Sequence, residues 1–135
     1  MSSVSIQAVS RVFETAKGQR TQALQPVDFE VRDNDFVTIL GPSGCGKSTL
    51  LRIVAGLDHA TSGRVLLDGA PVEGPGAERG MVFQSYTLFP WLTIEQNIRF
   101  GLRERGMPEA QQKERAAYFI AKVGLRGFEQ HFPKQ

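Results

Sequence analysis

Two different periods of apolar residues run along this chain. Val4, Ile6 and Ala8 alternate with polar neighbours, and so do Val27, Phe29 and Val31. A period of two places alternate side chains on one face, so both stretches are expected as half-buried strands, paired antiparallel. The polar run from Glu14 to Arg20 is expected as the turn between them, and Asp33-Asn34-Asp35 as a second turn. Phe36-Val37-Thr38-Ile39-Leu40 then breaks the alternation. It is nearly continuously apolar, the pattern of a parallel strand buried on both faces. Gly80-Met81-Val82-Phe83 is expected as a shorter strand of the same kind, delivering Gln84. Arg64 to Leu67 reads as a strand closed by the turn signal Asp68-Gly69, and Pro71 to Gly76 as loop.

Elsewhere the spacing is helical. Leu50, Leu51, Ile53, Val54 and Leu57 predict a helix over 47–57 that stops near Gly56. Thr93 with Gln96 three residues on forms a capping-box signature, and Ile94, Ile98 and Leu102 follow at four-residue intervals. Pro108 at a first-turn position and Glu109 open another helix, with Ala116, Phe119, Ile120 and Val123 as its apolar stripe and Gly124 as its stop. The shift at Thr93 divides the chain into a 1–92 part and a helical 93–135 part. The fold class is α/β.

Between the buried strand and the first helix lies Gly41-Pro42-Ser43-Gly44-Cys45-Gly46-Lys47-Ser48, followed by Thr49. Its spacing, Gly-x-x-x-x-Gly-Lys-Ser/Thr, is that of a phosphate-binding loop, and strand–loop–helix is the setting that motif requires. Glycines let successive N–H groups ring a phosphate without side-chain clash. Lys47 lays an ammonium against the terminal phosphates, Ser48 offers a hydroxyl to Mg²⁺, and the helix points its positive end at the same anion.

Composition narrows the remaining choices. A chain of 135 residues with 41% hydrophobic content suits one domain or part of one. A net charge of +2 implies neither nucleic acid nor a membrane surface as partner. No apolar run reaches the length of a membrane span, and the start lacks the basic and apolar regions of a signal peptide, so a cytosolic location is expected. Cys45, the single cysteine, occupies a free position of the loop and is not read as a nucleophile. His59 and His131 are isolated. Arg99, Arg103 and Arg105 are expected on a solvated helix face.

The loop, together with Ser62-Gly63, Asp68-Gly69, Val82-Phe83-Gln84 and Leu88-Phe89-Pro90-Trp91-Leu92-Thr93, resembles the ATPase subunit of an ATP-binding cassette (ABC) transporter. Gly74-Pro75-Gly76 and Phe89 to Thr93 are most similar to the importer branch serving nitrate, sulfonates and taurine. The resemblance implies a P-loop NTPase core of ABC type, with an N-terminal antiparallel β part and the start of a helical subdomain. It implies ATP and Mg²⁺ as cofactors, held by Phe13, Gly41 to Thr49 and Gln84, with Ser48 and Gln84 on the metal. Phe13 then stacks on adenine where the family more often has Tyr; the alternative for this ring is a strand-end core position. Gln84 senses the γ-phosphate, or is a strand-end surface amide. Phe89, Pro90 and Trp91 meet the coupling helix of a membrane permease subunit, or pack on the helix that begins at Thr93. A second ATPase subunit is the other implied partner, and nucleic acid is not one. The location implied is cytoplasmic, peripheral to the membrane through the permease.

The family's Leu-Ser-Gly-Gly signature, its four apolar residues followed by Asp-Glu, and its switch His are not found in these 135 residues. The chain is therefore expected to be an N-terminal portion, truncated before the signature, with no catalytic residue assigned. A non-hydrolysing nucleotide- or partner-binding module is the alternative. A DNA-repair ATPase leaves Phe89-Pro90-Trp91 without a purpose. A small GTPase lacks its guanine-reading Asn-Lys-x-Asp.

Overall fold

The structure, a computed structural model, describes residues 2–85 and 87–135. Met1 and Tyr86, the latter given no role from the sequence, lie outside them. The chain groups into two compact units, Met1–Val82 and Phe83–Gln135.

The first unit contains β1 (Val4–Glu14), β2 (Arg20–Val31), α1 (Lys47–Val54), β3 (Ser62–Leu67) and β4 (Ala70–Pro71). They form a four-stranded sheet in the order β2-β1-β3-β4, antiparallel throughout. The expected alternation holds from Val4 to Ile6 and then slips. Ala8 adopts φ 47° in a bulge, so it points outward, and the buried positions shift to Val9 and Ser10. The Asp28 carboxylate accepts from the Ala8 N–H at 2.7 Å and holds the kink. A turn at Asp68 and Gly69, both at positive φ, joins β3 to β4 with Leu67 opposite Ala70, the type I′ geometry that matches strand twist.

Leu50 and Ile53, one turn apart on α1, press into a core with Ile6, Val9, Leu24 and Val65. Each such side chain contributes roughly 1.5–3 kcal/mol on burial. This packing, more than the propensity of eight residues, holds α1 in place. The helix ends as predicted: the Gly56 N–H donates to Ile53 O at 3.0 Å and the Leu57 N–H to Arg52 O at 2.8 Å, a Schellman closure.

The strands expected at 36–40 and 80–83 do not form. Both segments lack any ladder, and Phe36, Leu40 and Val82 are 95%, 86% and 96% exposed. A buried parallel strand needs partners along its edges and layers on both faces. Among the described residues none supplies them, and only Ile39 of the first run touches the core.

The second unit contains α2 (Ile94–Glu104) and α3 (Glu109–Lys122). Thr93 and Gln96 make the predicted capping box, with Gln96 N–H to Thr93 Oγ1 at 3.2 Å and Thr93 N–H to Gln96 Oε1 at 2.9 Å. Pro108 sits at the N-cap of α3 rather than inside its first turn. Both helices end in Schellman closures through Gly106 and Gly124. The buried stripe of α3 is Gln112, Ala116 and Ile120. Phe119 and Val123, expected in it, instead line an open apolar groove of about 690 Å³ with Leu88, Phe128 and Phe132. Arg99 corrects the sequence reading: it is no solvated side chain but bonds Glu95 at 3.1 Å and Glu109 at 3.3 Å, tying α2 to α3.

Candidate functional site

The loop entering α1 has its shape dictated by glycines. Gly44 and Gly46 lie at φ 81° and 96°, where a Cβ is strained. A Cβ on Gly46 would also run into the Ala23 carbonyl oxygen and lie 3.0 Å from Leu24 Cδ1, so the loop rests directly on β2. One on Gly41 would lie 2.8 Å from Cys45 Sγ. The Cys45 N–H closes the turn onto Pro42 O at 3.4 Å. Ser43 and Cys45 are exposed at its rim.

Gly46 is the N-cap of α1, and no side chain caps the first turn. The N–H groups of Lys47, Ser48 and Thr49 open the helix and have no intrahelical partner. No acidic residue stands in that turn, and a lysine does. This arrangement opposes the helix dipole unless an anion completes it. The Lys47 ammonium meanwhile lies on loop carbonyls, 2.8 Å from Gly41 O and 2.6 Å from Pro42 O, with Cys45 Sγ at 3.5 Å. The Ser48 hydroxyl is exposed. An uncapped helix start, two left-handed glycines and one cation are thus brought together within Gly41 to Thr49.

Phe13 stands opposite Thr21 near the end of β1 and is 43% exposed, so it is not the core ring that was the alternative. The Arg11 guanidinium lies 4.6 Å from the ring centroid and is held by Asp58 at 2.8 Å. Sequence reading passed over Arg11. The signal available was its i, i+2 spacing from Phe13, which puts both on one strand face; the pairing with Asp58 left none. Gln84 is exposed in a bend and belongs to the second unit.

Phe89 takes the packing alternative foreseen for its segment, and Trp91 does not. The Phe89 ring packs on Phe100 of α2, centroids 4.5 Å apart, whereas Trp91 is 69% exposed with only an edge of contact to Phe89 at 5.5 Å. Among the described residues no group of three His, Cys, Asp or Glu side chains is placed to hold a metal ion. A cation shared with phosphate oxygens and waters needs no such cluster. Among the described residues no helix is long and apolar enough to cross a membrane.

Residues 24–135 match the family model described as ABC transporter. The chain belongs to the ABC transporter family. An uncharacterized ABC transporter ATP-binding protein of Methanocaldococcus jannaschii, MJ0412, is 52% identical over 130 residues, 96% of this chain and 48% of that protein. The nitrate import ATP-binding protein NrtD of Synechocystis is 45% identical over 127 residues, 94% of this chain and 47% of that one. Taurine import ATP-binding proteins match as well. The chain spans about half the length of the curated relatives it matches. Its fold is that of ABC ATPase cassettes: a dimeric cassette, MJ0796, in a post-hydrolysis state bound to ADP and Pi superposes with TM-score 0.84 at 29% identity, over 98% of this chain and 62% of that one.

Proposed function

We propose that this chain holds Mg-ATP for an importer motor that moves a small anion such as nitrate, a sulfonate or taurine through a membrane permease. One observation carries the reading. The reading is supported by the start of α1, which combines an uncapped first turn that holds no acidic residue, two left-handed glycines and Lys47 beside them. Gly41 to Thr49 would hold the phosphates. Phe13 would stack on adenine, and Ser48 would offer its hydroxyl to the Mg²⁺. The metal supplies charge neutralisation on the β- and γ-phosphates when bound. Lys47 must exchange its two carbonyl contacts for phosphate oxygens, trading neutral acceptors for charged ones. The substrate class is supported by the similarity to nitrate and taurine import ATP-binding proteins. A permease and a second cassette are the proposed partners, the latter supported by the dimeric structural neighbour. The proposed location is cytoplasmic, at the membrane face.

Calorimetry with Mg-ATP on the native chain and on Lys47→Ala tests this. The variant loses one or two charge-assisted hydrogen bonds, about 1.5–3 kcal/mol each. Equal affinity in the two proteins removes the loop from the site. A non-hydrolysing nucleotide- or partner-binding module is the second reading. It expects phosphate release at the level of buffer while ATP is bound.

A further inference from the structure

The segment between Leu88 and α2 is irregular, yet its backbone is fastened at four points by one side chain. Asn97 Oδ1 accepts from the Phe89 N–H at 2.8 Å. Asn97 Nδ2 lies 3.1 Å from Phe89 O, 3.0 Å from Leu92 O and 3.0 Å from Thr93 O. The amide thus uses its acceptor and shares both donor hydrogens among three carbonyls. Its own N–H donates to Thr93 O at 2.8 Å, which anchors it in the first turn of α2. The Phe89 ring then lies between Phe100, at 4.5 Å, and Trp91, at 5.5 Å.

We propose that Asn97 is a positioning residue: its carboxamide braces Phe89–Thr93 into a rigid platform and so sets the direction of Trp91. The purpose rests on the reading that this segment meets a permease. A large ring exposed to 69% is a costly thing to order at the moment of docking. A platform already fixed by the fold removes that cost, and Asn97 is the group that fixes it. The bonds need an acceptor and a donor on one short side chain. Aspartate keeps the acceptor for the Phe89 N–H and sets a negative oxygen against three carbonyls. Leucine keeps the volume and loses every bond.

Trp91 is the single tryptophan of the chain, so its fluorescence reports the platform without labelling. Three proteins are compared: native, Asn97→Asp and Asn97→Leu. In the native chain the Phe89 amide exchanges with solvent deuterium about tenfold or more slower than an unprotected amide. In both variants acrylamide quenching of Trp91 rises about twofold and its anisotropy falls, while far-ultraviolet helix content is kept. An unprotected Phe89 amide in the native chain overturns the proposal, whatever the variants do. So does unchanged Trp91 quenching in both. If helix content falls in step with the fluorescence change, Asn97 is merely a stabiliser of α2 and the proposal fails. All four readouts concern the chain alone. They therefore stand apart from the Lys47→Ala calorimetry, which tests the functional reading.

Discussion

The starts of α1 and α2 face the same physical problem and meet it in opposite ways. Each leaves backbone N–H groups without intrahelical partners. At α2 every one is satisfied: Thr93 N–H by Gln96 Oε1 at 2.9 Å, Ile94 N–H by His131 O at 2.9 Å, Glu95 N–H by Glu129 O at 3.0 Å, and Gln96 N–H by Thr93 Oγ1. Glu95 adds a negative charge in the favourable turn. At α1 the cap is a glycine, no acid is present and a lysine opens the helix. Local rules are broken in one place and kept in the other. A helix end built for stability is closed by the protein's own acceptors. The start of α1 is left open, with Leu50 and Ile53 packed behind it, and a bound anion is what we propose completes it.

The comparison breaks most completely at Gly46. Gly46→Ala forces a Cβ into the Ala23 carbonyl at φ 96°. Backbone strain of this kind costs about 1–3 kcal/mol, and the clash adds to it. The urea midpoint should fall and ATP binding should vanish. A variant with native affinity would show that the open end does not depend on its glycine. Phe13→Ala comes next, and leaves the loop intact. ATP should weaken by about 1–2 kcal/mol, by analogy with base–aromatic stacking, while inorganic triphosphate is unaffected. Equal losses for both would mean that Phe13 acts on the loop and not on a base. Thr93→Ala tests the closed end. Thermal unfolding should show a loss of about 1 kcal/mol, with ATP affinity unchanged. The smallest effect sits at α3, where Glu109 supplies the first-turn acid. A hydrogen bond from Lys113 and its charge, then those of Arg99, hold this carboxyl below its ordinary value. A lowered folded-state value stabilises above the unfolded one, about 4.3, and that contribution is lost as pH falls through the folded one. Stability of the native chain should therefore decline more steeply than that of Glu109→Gln as pH falls below about 4.3. Parallel acid arms would sever Glu109 from the α2–α3 link.

Much of the site was legible because it is local. Gly41 to Thr49, the capping box at Thr93, the turn at Asp68-Gly69 and the glycine stops all act over spans of a few residues, where spacing alone encodes the geometry. The antiparallel pairing of β1 and β2 was legible from alternation, up to the bulge. What the sequence could not decide depends on neighbours distant along the chain. Phe36 to Leu40 has the composition of a buried strand, but burial is conferred by partners, and the described residues offer none. Ala8 fits the alternation and is displaced by Asp28, twenty residues away. Arg99 fits a polar face and becomes a link only because α3 folds back beside it. Asn97 gives no sign of its role, since its four contacts exist only once Phe89 has turned to meet it. Local chemistry, the loop above all, belongs to the sequence by itself. Which apolar runs are covered, which charges are paired and which way Trp91 points were settled only by the tertiary structure.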